Sequence, residues 1–191
     1  MTLLFSTEAH RQFDPIAKQF GLVCVAATEW GLRYENDKVF LVVNFDNARS
    51  YELGVEVGMQ GKRYLGPPFS LPEILRLRDV QDAASVSGMM ISDQAQLPDA
   101  LSRLAKLTIN YASDFLVGND FAFAQVERLR NKESAELELA SRLRYAKSIV
   151  DVAWPAKDYA AIVKALEPLE AHLSEAEKKR LEYSRKHLPH F

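Results

Sequence analysis

The chain has 191 residues, 48% hydrophobic and 26% charged, with a formal net charge of −2. That is the make-up of an ordinary globular protein with enough chain to bury a sizeable core. The near-neutral balance gives no electrostatic footprint for nucleic acid, which is not expected as a partner. Cys24 is the one cysteine; it excludes an internal disulfide and fits a reducing compartment. The start MTLLFSTEAHRQF lacks the basic and apolar pattern of a secretory signal, and runs such as VFLVV are too short to span a bilayer. A cytoplasmic protein without membrane association is therefore expected.

In chain order, Phe13, Ile16, Ala17 and Phe20 recur at helical spacing before Gly21, which predicts an N-terminal helix with Pro15 either in its first turn or inside a longer, kinked helix. LVCVAATEWGLRYENDKVFLVVNFDNARSYELGVEVGM then reads as a four-stranded antiparallel meander. A two-residue turn at Asn36-Asp37 pairs Tyr34 with Val39, and a three-residue turn at Asn47-Ala48-Arg49 pairs Phe45 with Tyr51. Both registers place Trp30, Leu41, Val43, Leu53 and Val55 on one face. Cys24 falls in a strand among apolar neighbours and reads as a buried, inert thiol.

Ser70 and Glu73 predict a capping box at the start of a helix carrying Ile74, Leu75 and Leu77. The stretch 81–96 reads as a loop that could hold a short helix or strand. From Leu97 a stripe of Leu101, Leu104, Thr108, Tyr111 and Phe115 runs to Gly118. Asn119 or Asp120 caps a second long helix whose charged middle, RLRNKESAE, reads as a solvated face or a kink. Two further helices follow, with Tyr159, Ile162, Val163 and Leu166 on the first and a Ser174/Glu177 capping box on the second. The expected class is α+β: an N-terminal helix and a four-stranded antiparallel meander packed on a C-terminal helical bundle. The expected domains are a sheet domain (1–80), a loop or linker (81–96) and a helical subdomain docked on the sheet (97–191).

The face of the meander opposite the apolar one is mixed. Arg33, Phe40, Asn44, Glu52 and Glu56, with Tyr64 beyond the last strand, are the candidate binding residues; the predicted register sets Phe40 between Arg33 and Glu56. A solvated face with a cross-strand ion pair competes with this reading. No catalytic residue, cofactor or metal is expected. Glu52 and Glu56 have no nucleophile or metal partner in the pattern, His187 and His190 have no further ligands at suitable spacing, and the glycines make no phosphate loop.

Two resemblances add to this. AKDYAAIVKALEPLEAHLSEAEKKRLEY resembles the second helix of a tetratricopeptide repeat followed by the first helix of the next, with Lys157-Asp158-Tyr159 at the turn and Leu143, Tyr145 and Ala146 on the preceding helix. One unit is present, with no second copy at that period, so its buried face is expected to pack on the rest of the protein. WGLRYENDKVFLVVNFDNARSYELGVEVG resembles small bacterial α+β proteins of the toxin-immunity type. Together they imply a non-enzymatic factor that binds another protein directly. The alternative is an enzyme or small-ligand-binding protein with a site on the polar sheet face. A homodimer through an exposed edge strand or the terminal hairpin is also open.

Overall fold

The computed structural model describes residues 4–61, 66–81 and 83–188. It is an α+β protein. Helix α1 (Leu4–Gln19) leads into β1 (Val23–Ala27), β2 (Gly31–Glu35), β3 (Val39–Phe45), β4 (Leu53–Met59) and a two-residue β5 (Phe69–Ser70). These strands form one antiparallel sheet in the order β1-β2-β3-β4-β5. Helices α2 (Leu71–Leu77), α3 (Ala83–Val86), α4 (Leu97–Leu116), α5 (Asp120–Ala156), α6 (Tyr159–Leu166) and α7 (Glu175–Lys186) follow. Among the described residues no helix is long and apolar enough to cross a membrane.

Strict alternation builds the core. In β2–β4, Leu32, Tyr34, Val39, Leu41, Val43, Phe45, Leu53, Val55 and Val57 are buried, each separated by a residue facing the other way. Phe5, Phe13 and Ile16 of α1, Ile74 and Leu75 of α2, and Leu97, Leu101 and Leu104 of α4 join the same core. Each fully buried Phe or Leu contributes roughly 2–3 kcal/mol. Trp30 packs on this core against Phe5 and Phe45. Pro15 lies inside α1, and Gly21 follows at φ 66°.

The faces are as expected, but the register is not. Tyr34 pairs with Leu41 and Phe45 with Leu53, each two residues further along than predicted. The cause is the same in both loops: an acceptor side chain ahead of the turn. The Asn36 Oδ1 accepts the N–H groups of Lys38 and Val39, both at 2.9 Å. This puts Asn36 before the turn and makes Asp37-Lys38 its centre. The Asp46 carboxylate accepts from the Ala48, Arg49 and Ser50 N–H groups, while its own N–H donates to the Glu52 carbonyl at 2.9 Å. The loop thus spans Asn47 to Tyr51. A shift of two residues keeps every side chain on its face.

Cys24 corrects the sequence reading: it is exposed, as is every residue of β1. An apolar strand at a sheet edge has the same sequence pattern as an interior one, but here the helical layer buries β2 and leaves β1 uncovered. A bulge between Cys24 and Ala26 interrupts the β1 ladder, a common way of blunting an edge.

The domain boundaries also differ. The chain forms two compact units, Met1–Arg130 and Asn131–Phe191. Helix α4 belongs to the first because it packs on α1 and the sheet. The stretch 81–96 is no linker: Ala83, Val86 and Ile91 are buried, and Met90 bridges Glu52. The second unit has a core of its own, made by Ala146, Val150, Ala153, Ile162, Leu166, Leu169, Leu173 and Leu181. Its helical stripes are thereby buried against one another. The Asp158 side chain caps α6 by accepting the Ala161 N–H at 3.0 Å, after Lys157 turns the chain at φ 55°. The Ser174/Glu177 capping box opens α7.

Candidate functional site

The polar face of the sheet divides in two. At one end Phe40 faces Glu35 and Gly58, not Arg33 and Glu56 as the predicted register had it. Its ring lies over Gly58 so closely that a Cβ there would sit 2.2 Å from it. The Arg33 guanidinium carbon stands 4.0 Å above the same ring while Nε donates to Glu35 at 3.0 Å. Glu35 also accepts from Gln60 Nε2 at 2.6 Å. Arg33 and Phe40 are thus satisfied by their neighbours, a cation–π pair on a glycine-floored strip.

The other end is concave. Asn44, Glu52 and Glu56 line a cavity of about 530 Å³ together with Asp46, Ser70, Glu73 and Arg76. Three features of the chain open it. First, β5 pairs only with Glu56 and Val57, so it leaves the outer edge of β4 early. Second, Leu53 N–H donates to the Met89 carbonyl and Ile91 N–H to the Tyr51 carbonyl, at 2.9 and 2.8 Å. These bonds hold Val86–Gly88 as the far wall. Third, the end of β5 supplies Ser70, and α2 supplies Pro72, Glu73 and Arg76. Tyr64 lies outside the described residues.

The wall at α2 is held by residues that the sequence reading assigned other roles. Glu73 accepts the Ser70 N–H and hydroxyl, both at 2.8 Å. It also accepts from Arg130 Nε at 2.6 Å and Nη2 at 2.9 Å. Arg130 donates further to the Pro67 and Pro68 carbonyls at 2.8 and 2.7 Å, and stacks over Phe69 with its guanidinium carbon 4.0 Å from the ring centroid. A residue read as part of a solvated charged run is therefore an anchor.

Four carboxylates and one guanidinium line the cavity. They are not equivalent. Burial works against the Glu73 charge, but Arg130 and Ser70 outweigh it and hold its pKa below the ordinary glutamate value. Glu56 goes the other way: burial, then the neighbouring Glu73 charge, push its pKa up, and Arg130 offsets only part of this. The Ser50 hydroxyl lies 3.0 Å from Asp46 and 3.3 Å from Glu52, and its one proton serves both. A site of this kind favours a cation, which would relieve the half-buried Glu56 charge.

A second titratable group lies on α1 and β2. The Tyr34 hydroxyl donates to Asp14 at 2.7 Å, and His10 Nδ1 stands 3.0 Å from the same oxygen. Burial and the Asp14 charge keep Tyr34 protonated far above its usual range. This chain satisfies a buried phenol.

Comparison of the chain with protein-family models, with curated proteins and with solved structures gives no match.

Proposed function

We propose that the protein acts by binding another protein, and that the acidic cavity beside β4 receives a cationic side chain of that partner. Toxin neutralisation by direct contact is the form of this role that the sequence resemblance implies. The observation that carries the reading is the convergence of Asn44, Glu52 and Glu56 on one cavity whose carboxylates outnumber its cations. Partner binding would then draw on the unfavourable Glu56 charge, a local cost in the free protein.

The sign of that cost gives a test. A group whose pKa is raised on folding contributes stability that is full below its unfolded value and is lost as pH rises through the folded value. Glu56→Gln is therefore expected to raise the melting temperature near neutral pH and to leave it unchanged below the ordinary glutamate range. In a pull-down from the native host, the wild-type protein should retain one dominant protein in near-equal amount. Glu56→Gln and Glu52→Gln should lose it. Recovery of no partner, or equal recovery by the variants, would refute the proposal.

A cavity of about 530 Å³ is also the size that holds a small molecule. The second reading is thus a small amine or guanidinium ligand in place of a side chain. A thermal shift on adding such compounds, absent in Glu56→Gln and unaccompanied by any protein partner, selects it.

A further inference from the structure

The second unit carries a groove that owes nothing to the cavity beside β4. One wall is Arg142, Tyr145, Ala146 and Ile149 of α5; the other is Ala161, Lys164 and Ala165 of α6, with Pro168 and Leu169 just beyond. The α5 row has spacings of three, four and seven residues and is roughly 10 Å long at 1.5 Å per residue; the α6 row has spacings of three and four, roughly 6 Å, and Pro168 and Leu169 extend it. Two such rows side by side form the kind of furrow into which the ridge of a third helix packs. Its volume is about 400 Å³. Ala146 and Leu169 make a buried apolar floor, and Tyr145 stands 70% exposed at the rim.

The charges on the rim have one sign. Arg142 and Lys164 have no ion-pair partner among the described residues. The acidic residues that follow α6 are turned elsewhere: Glu167 and Glu170 both accept from Arg185, at 2.9 and 2.7 Å. The groove thus presents an apolar trough between two cations without counter-ions. A chain with apolar side chains along one helical face and carboxylates beside them is its complement.

We propose that this groove docks an amphipathic helix of a partner protein, with its apolar face in the trough and its carboxylates against Arg142 and Lys164. The proposal is independent of the cation-binding cavity in the first unit and stands or falls separately from it.

The test uses the full chain and two synthetic probes. One is a helical peptide of about 16 residues, roughly 24 Å long, with leucines at positions three, four and seven apart and glutamates flanking them. The other has lysines in place of the glutamates. Fluorescence anisotropy should show the acidic peptide binding at least about tenfold tighter than the basic one, with affinity falling as salt is added. The double variant Arg142→Glu/Lys164→Glu should reverse the order and prefer the basic peptide, a gain that misfolding cannot produce. Equal binding of both peptides, binding of neither, or an unchanged preference in the double variant overturns the proposal. So does a homodimer seen by light scattering that the same double variant dissociates, since the occupant would then be a second copy.

Discussion

Arg130→Ala is expected to destabilise the first unit by about 3 kcal/mol. Arg130 and Glu73 are mostly buried, with side-chain exposures of 21% and 17%. Removing one partner of a buried ion pair leaves the other charge uncompensated and costs about 3–5 kcal/mol; residual solvent access puts this pair at the lower end. Two carbonyls, those of Pro67 and Pro68, lose their donor at the same time, and Phe69 loses its stacked guanidinium. For a chain of this length the melting temperature should fall by roughly 6–12 °C. Arg130→Lys should recover only part of the loss, because an ammonium cannot span a carboxylate and two carbonyls in one plane. The pH dependence follows from Glu73. Its pKa is depressed on folding, so its stabilisation is present above the ordinary glutamate value and is lost as pH falls through the folded value. The gap between wild type and Arg130→Ala should therefore be full near neutrality and narrow in acid. Thermal or urea unfolding at the two pH values measures it, and a variant within about 0.5 kcal/mol of wild type would show that the anchor is ornamental.

That anchor also marks where the sequence stopped being readable. Alternation in β3 and β4 assigned Leu41, Val43, Leu53 and Val55 to the core and Asn44 and Glu56 to the other face, because a period of two survives any even slip in register. The register itself depended on the side chains of Asn36 and Asp46, which accept backbone N–H groups and so stand ahead of their turns instead of inside them. Glu73 was legible as a helix cap, a local event three residues wide. Its use of both oxygens for Arg130, fifty-seven residues away, is tertiary and leaves no trace in spacing. The candidate residues show the same split. Asn44, Glu52 and Glu56 share a cavity because β5 ends after pairing with two residues of β4. Arg33 and Phe40 sit apart because Gly58 gives the Phe40 ring a place to lie flat.

Ile162→Ala is expected to destabilise the second unit by about 3 kcal/mol, within the 2–5 kcal/mol typical of such truncations. Ile162 is fully buried in a small core, among Leu166, Leu169, Leu173 and Leu181, where a truncation leaves a cavity that closes only in part. The two tryptophans separate the consequences. Trp154 packs at a tilt against Tyr183, with ring centroids 5.6 Å apart, and under Arg180, whereas Trp30 packs on Phe5 and Phe45. In a Trp30→Phe background, fluorescence should report an unfolding transition moved to lower denaturant by Ile162→Ala. In a Trp154→Phe background, the transition seen through Trp30 should stay within about 0.5 kcal/mol of its original position, since mutations in separate cores do not couple. Movement of both transitions together would mean that the two cores unfold as one. The same pair of reporters distinguishes packing from recognition in the groove. Ile162 neighbours Ala161 in sequence and holds that wall from beneath, so Ile162→Ala should weaken the acidic peptide only where the Trp154 transition has begun. Arg142→Glu/Lys164→Glu should reverse the peptide preference with that transition unmoved.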